Sequence, residues 1–259
     1  MSDDEGGDVT EATVVPEGAP CWCDLWTSDV AASRRFYAAL FDWEAQEPSA
    51  QFGGYFMFTR HGVPVAGAMG DMGVARADDQ WKLYLSTPDV STTVTRAEDA
   101  GARVTVAPVP VADLGVQAVL ADPTGATLGA WQPGTFAGFS TRGEHGTPAW
   151  FQLHTNAVTS AVEFYRRVFR LDAQVVADTP DVRSTTLTSG GVALAGILEV
   201  TVPTARWFTY WYVDDIDVAL ARVTSLGGGV IDGPLHSPYG PIATVSDPCG
   251  ARFKLSSAS

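Results

Sequence analysis

Basic residues are scarce in this chain: 16 lysines and arginines stand against 30 aspartates and glutamates, for a formal net charge of −14. Nucleic acid and anionic membrane surfaces would be repelled by that field, so neither is an expected partner. Long apolar runs are missing as well. No stretch approaches the roughly 20 residues that cross a bilayer, and the start lacks the basic-then-apolar order of a secretory signal. Together these absences point to a soluble, cytoplasmic protein. Cysteine is sparse: Cys21, Cys23 and Cys249 are an odd count without a CxxC spacing. In a strand, positions 21 and 23 share a face and do not easily bridge each other, so the cysteines read as small buried apolar residues. No Ser/His/Asp order, phosphate-binding glycine loop or nucleotide fingerprint is present.

What is present is a unit written twice. PCWCDLWTSDVAASRRFYAALFDW at Pro20 returns as PAWFQLHTNAVTSAVEFYRRVFRL at Pro148, an offset of 128. WKLYLSTPDVSTTVTRAEDAGARV at Trp81 returns at Trp207 (offset 126), and ADPTGATLGAW returns as SDPCGARFKLS with Asp122 matching Asp247 (offset 125). Preserved order with small offset changes at loops marks a duplicated module. The reading that follows is a tail at 1–18, a first module at 19–132, a linker at 133–147 and a second module at 148–259. The tail carries six carboxylates and no base, which predicts a solvated, mobile segment. The linker QPGTFAGFSTRGEHGTP is rich in glycine and aperiodic.

Each module opens with an alternating strand (20–27; 148–155) and a polar turn in which Ser28 or Asp29 caps a helix. A hairpin follows, then a fourth strand (82–87; 208–213) and a second helix ended by Gly101 or Gly227. A short strand and a hairpin closed at Asp-Pro-X-Gly complete the unit.

The Phe-Tyr helix opening (LWTSDVAASRRFYAALF; LHTNAVTSAVEFYRRVF), the VDDID helix start and the DPTGATLGAW and DPCGARFKL ends resemble the vicinal oxygen chelate superfamily. It is also called the glyoxalase/bleomycin resistance/dioxygenase family, and the resemblance covers roughly residues 19–258. It implies an α+β fold of tandem modules, each built from paired βαβββ units whose curved mixed sheets enclose a cavity, with helices outside. It does not assign an activity, because the superfamily spans isomerases, ring-cleaving dioxygenases, epoxide-opening transferases and metal-free antibiotic binders. Where members hold a metal, His, Gln or Glu ligands sit on the first, fourth and last strands. The matching positions here are Trp22 and Trp150, Lys82 and Phe208, and Gly129 and Lys254. None is an ordinary metal ligand, so no metal and no other cofactor is expected.

Strand alternation turns Trp22, Asp24 and Trp26 inward in the first module and Trp150, Gln152 and His154 in the second. The fourth strands add Lys82, Tyr84 and Ser86, and Phe208, Tyr210 and Tyr212. Aromatic walls with a few polar groups suit a flat conjugated guest. Asp24, which Lys82 would neutralise or a ligand donor would meet, and His154 are the general acid/base candidates. His61 and His145 read as solvated; His236 lies on a loop that could cover a cavity. Two functions fit. One is a metal-independent binder of a hydrophobic aromatic natural product or antibiotic, for sequestration, resistance or transport. The other is a cofactor-free isomerase, cyclase or lyase that tailors such a compound. A metal site assembled from Asp24, His154 and His236 is a third option. A monomer with pseudo-twofold symmetry and a homodimer both suit the tandem layout.

Overall fold

A computed structural model describes residues 15–70 and 79–258. In the first module β1 (Pro20–Thr27), α1 (Val30–Phe41), β2 (Glu44–Ala45), β3 (Phe56–Arg60) and β4 (Val63–Gly70) form one βαβββ unit. The second unit comprises β5 (Gln80–Ser86), α2 (Val90–Asp99), β6 (Arg103–Val111), β7 (Gly115–Ala121) and β8 (Thr127–Pro133). The second module repeats this as β9 (Pro148–Thr155), α3 (Val158–Phe169), β10 (Asp172–Asp178), β11 (Arg183–Ser189) and β12 (Val192–Glu199). It finishes with β13 (Arg206–Tyr212), α4 (Ile216–Ser225), β14 (Gly229–Ser237), β15 (Gly240–Ser246) and β16 (Arg252–Ser256). Among the described residues, each module is one eight-stranded mixed sheet. The orders are β2-β3-β4-β1-β5-β8-β7-β6 and β10-β11-β12-β9-β13-β16-β15-β14.

Local chemistry explains the helix starts. The Asp29 carboxylate accepts the Ala32 N–H at 2.9 Å, and Asp89 and Asp215 do the same for α2 and α4. In α3 that position is Ala157, whose methyl group cannot accept a hydrogen bond.

The helix-covered faces of both sheets merge into one core, and this joint is where the repeated motifs go. The Tyr37 hydroxyl of α1 accepts the Trp81 indole N–H (3.0 Å) and donates to Asp247 Oδ2 of the other module (3.0 Å). The mirror set has Tyr165 accepting from Trp207 (2.8 Å) and donating to Asp122 Oδ2 (2.7 Å). The other oxygen of each aspartate fastens its own turn: Asp122 Oδ1 accepts from Thr124 and Ala126, and Asp247 Oδ1 from Cys249 and Ala251. Arginines add a second pair of ties, Arg96 to the Val168 carbonyl and Arg222 to the Ala39 carbonyl.

Cys23 lies in this joint with its sulfur 3.0 Å from Thr209 Oγ1, and burial pushes its thiol up to about 12, so it stays protonated. Cys21 is buried too, whereas Cys249 is half-buried in its turn.

The end of the tail, expected to be mobile, and the linker are both packed. Residues 1–14 of the acidic tail lie outside the described residues, but Val15 packs on the core and Glu17 pairs with Arg96 at 3.0 Å. After Pro133 the connecting segment puts Phe139 on Phe151 (5.8 Å, stacked) and Arg142 over both rings. His145 is not solvated as expected: its Nδ1 lies 3.4 Å from Asp214 Oδ2, which ties the segment to the second module. His61 is exposed in its turn. Among the described residues no helix is long and apolar enough to cross a membrane.

Candidate functional site

With one face of each sheet committed to the joint, the opposite faces are open to other uses. In the first module that face is a cavity of about 610 Å³. Trp22, Asp24, Trp26 and Tyr84 line it, as alternation predicts. Lys82 departs from that set. It is buried opposite Asp24 in the β1–β5 register, with its ammonium 4.3 Å above the Trp26 ring, and does not line the cavity.

The structure adds residues that alternation on two strands does not reach. Tyr55 and Met57 come from β3 and its approach, Trp131 from the end of β8, Leu114 from the β6–β7 hairpin, and Phe136 from the connecting segment. Phe136 meets Trp22 edge-on at 4.8 Å, and its carbonyl accepts the Trp131 indole N–H at 2.9 Å. The alternation in YFMF at 55–58 carries the signal for Tyr55. Phe136 sits in a Gly/Pro-rich stretch with no periodicity to read.

Asp24 is the chemical centre of the cavity. Its Oδ1 accepts the Tyr55 hydroxyl at 2.8 Å and the Trp22 indole N–H at 3.0 Å. Burial raises its pKa, while the Tyr55 hydrogen bond and the Lys82 charge pull it back. Gly67, opposite Asp24 on β4, makes this arrangement possible. A Cβ there would stand 1.8 Å from the Tyr55 oxygen and 2.3 Å from Asp24 Oδ1.

The second module holds a more open face. Trp150, Gln152 and His154 are half-buried, Phe208, Tyr210 and Lys254 are buried, and Tyr212 is half-buried at the end of β13. Gln152 Oε1 accepts the Tyr210 hydroxyl at 2.5 Å and lies 3.1 Å from His154 Nε2. That acceptor makes His154 a donor through Nε2. Burial first, and the Lys254 charge second, lower the His154 pKa to about 3, so the imidazole is neutral near pH 7. The unfolded chain takes up that proton near 6.5 and the fold does not, so stability is full above 6.5 and falls as pH drops toward 3. Across that window the wild type is expected to lose about 1.4 kcal/mol per pH unit more than His154→Gln, read from urea unfolding at several pH values. Parallel curves for the two proteins would contradict the assignment.

The family's metal centre does not fit these residues. Trp22, Tyr84 and Gly129 stand side by side on β1, β5 and β8, and a Cβ on Gly129 would come 2.0 Å from Tyr84 Cδ1. The tyrosine ring fills the volume that a liganding side chain would need. In the second module Lys254 brings a cation to the position of a cation's ligand. Among the described residues no three His, Cys, Asp or Glu side chains are grouped to hold a metal. Asp24 and His154 line different sheets and His236 is exposed on β14, so those three do not assemble.

Comparison with known proteins agrees with the double-module architecture. Residues 21–129 match the model of the Glyoxalase-like domain, and residues 147–255 that of the Glyoxalase/Bleomycin resistance protein/Dioxygenase superfamily. Anthracycline biosynthesis protein DnrV of Streptomyces peucetius is 35% identical over 92% of both chains. Anthracycline biosynthesis protein DauV of Streptomyces sp. (strain C5) is 34% identical over the same shares. Among solved structures, the Mn(II)-bound glyoxalase from Novosphingobium aromaticivorans superposes with a TM-score of 0.65 at 17% identity, covering 93% of this chain and 82% of that one. The chain belongs to the Glyoxalase/Bleomycin resistance protein/Dioxygenase superfamily, with two of its domains in tandem.

Proposed function

We propose that the first module binds a hydrophobic, planar aromatic natural product without a metal ion, to sequester or carry it. The observation that carries this reading is the cavity itself. It measures about 610 Å³, is walled by Trp22, Trp26, Tyr55, Trp131 and Phe136, and has one buried carboxyl among them. That size suits a drug-sized guest, and indole and phenol faces hold fused rings by offset stacking. Asp24 selects for a hydrogen-bond donor on the guest, such as a phenol or an ammonium. The two Streptomyces relatives, named for anthracycline biosynthesis, support a fused-ring guest.

Titrating the protein with anthraquinones and intercalating antibiotics should quench tryptophan fluorescence saturably. Trp26→Ala, which removes a half-buried wall, should weaken that binding about tenfold to a hundredfold. Linear, non-saturating quenching across the panel would remove the proposal.

One observation favours a second reading, a cofactor-free isomerase, cyclase or lyase. Asp24 combines a burial-raised pKa with two fixed hydrogen bonds inside the cavity, the setting of a proton-transfer group. Asp24→Asn separates the two: a carrier changes only in Kd, whereas an enzyme loses turnover and keeps its guest.

A further inference from the structure

Lys254 is a buried cation that has no counter-ion among the described residues. It is 7% exposed, its ammonium donates to Thr244 Oγ1 at 2.8 Å, and it lies 5.5 Å above the rings of both Phe208 and Tyr210. Among the described residues no carboxylate forms an ion pair with it. Burial lowers its pKa, and the exposed Asp232 offsets this only in part. An ammonium held this way costs stability, and a ligand anion would relieve that cost.

The same face carries two further N–H groups that have no acceptor among the described residues. A Cβ on Gly196 would stand 3.1 Å from Gln152 Nε2 and 3.2 Å from Trp150 Nε1, so both nitrogens border one patch of bare backbone. The hydrogen bonds of Gln152 fall on its Oε1. The first module shows what fits such a place. There the spot beside Gly67 holds the Tyr55 hydroxyl and Asp24 Oδ1, and both oxygens take the Trp22 N–H at 3.0 Å. Gln152 replaces that aspartate in the second module, so the chain's own carboxylate oxygen is replaced by a further donor.

We propose that the face of the second module opposite the joint is a separate site for a flat aromatic carboxylate. Lys254 balances its charge, the Trp150 and Gln152 N–H groups take a second oxygen, and Phe208 and Tyr210 lie along its rings. One ammonium beside neutral neighbours compensates a single negative charge, which favours a carboxylate over a phosphate dianion. The two modules then select opposite polarities, an acceptor (Asp24) in the first and donors in the second. The two sites are on different sheets, so either proposal stands or falls without the other.

The test uses 6-hydroxy-2-naphthoate and its neutral amide as probes, titrated into the full chain by calorimetry at pH 7. The acid is expected to bind saturably and at least tenfold more tightly than the amide. Lys254→Met should erase that preference while its Tm stays at or above that of the wild type, because an uncompensated buried charge is gone. Trp150→Phe, which retains an aromatic ring and removes the N–H, should weaken the acid about threefold to tenfold, and it serves as the test if Lys254→Met does not fold. Absence of saturable binding, equal affinity for acid and amide, or undiminished acid binding in both variants would overturn the proposal.

Discussion

Replacing Tyr37 by phenylalanine is expected to lower the unfolding free energy by about 2–4 kcal/mol, and Tyr165→Phe by a similar amount, in urea or guanidinium titrations. Each change deletes one oxygen, but that oxygen serves two buried partners. Without it the Trp81 indole N–H has lost its acceptor and Asp247 Oδ2 its donor, both deep in the module joint. Tyr165→Phe strands Trp207 and Asp122 in the same way. A carboxylate that loses a hydrogen bond in a dry interior costs more than a neutral group, which puts the expectation above that for an ordinary hydrogen bond. A loss under about 0.5 kcal/mol would mean that ring packing alone holds the modules together.

Gly67→Ala is expected to destabilise the protein by about 1–3 kcal/mol and to weaken guest binding at least tenfold. The added carbon would stand 1.8 Å from the Tyr55 oxygen and 2.3 Å from Asp24 Oδ1, so the hydroxyl has to leave and the carboxyl loses its shortest hydrogen bond. The pseudo-equivalent Gly196→Ala is the internal control. Its added carbon would meet Gln152 and Trp150 at 3.1 and 3.2 Å, contacts that shifts of a few tenths of an ångström relieve, so its stability should change by less than about 1 kcal/mol. Equal effects of the two substitutions on stability would show that the Tyr55–Asp24 contact is not what Gly67 protects.

How much of the site could be read from the chain depends on how local each signal is. Trp22, Asp24, Trp26 and Tyr84 were legible because a strand's side-chain period is two and one face is marked by core residues such as Cys23 and Leu25. Lys82 shares that alternation yet does not line the cavity, because a long side chain goes where its charge and stem find partners, here the Trp26 ring. His154 faces as alternation predicts, but its protonation follows from burial and from Lys254, a residue one hundred positions later in the chain. Tyr55, Trp131 and Phe136 join the cavity from three separate segments, and no short window of sequence relates them.

By itself the sequence determined the duplication, the strand–helix–hairpin order of each module and the capped start of α1, because offsets, periodicity and capping chemistry act within a few residues; the third strand that completes the first βαβββ unit of each module, β2 and β10, came only with the structure. It also determined that the family's ligand positions hold tryptophan, lysine, phenylalanine and glycine. Only the tertiary structure decided that the Phe-Tyr and Asp-Pro motifs join the two modules rather than build a site. It alone decided as well that the Tyr84 ring fills the place beside Gly129 and that Lys254 is buried without a counter-ion among the described residues. Those outcomes depend on which distant side chains share one dry volume, and there each polar group must be matched by a partner that the chain itself, or a ligand, provides.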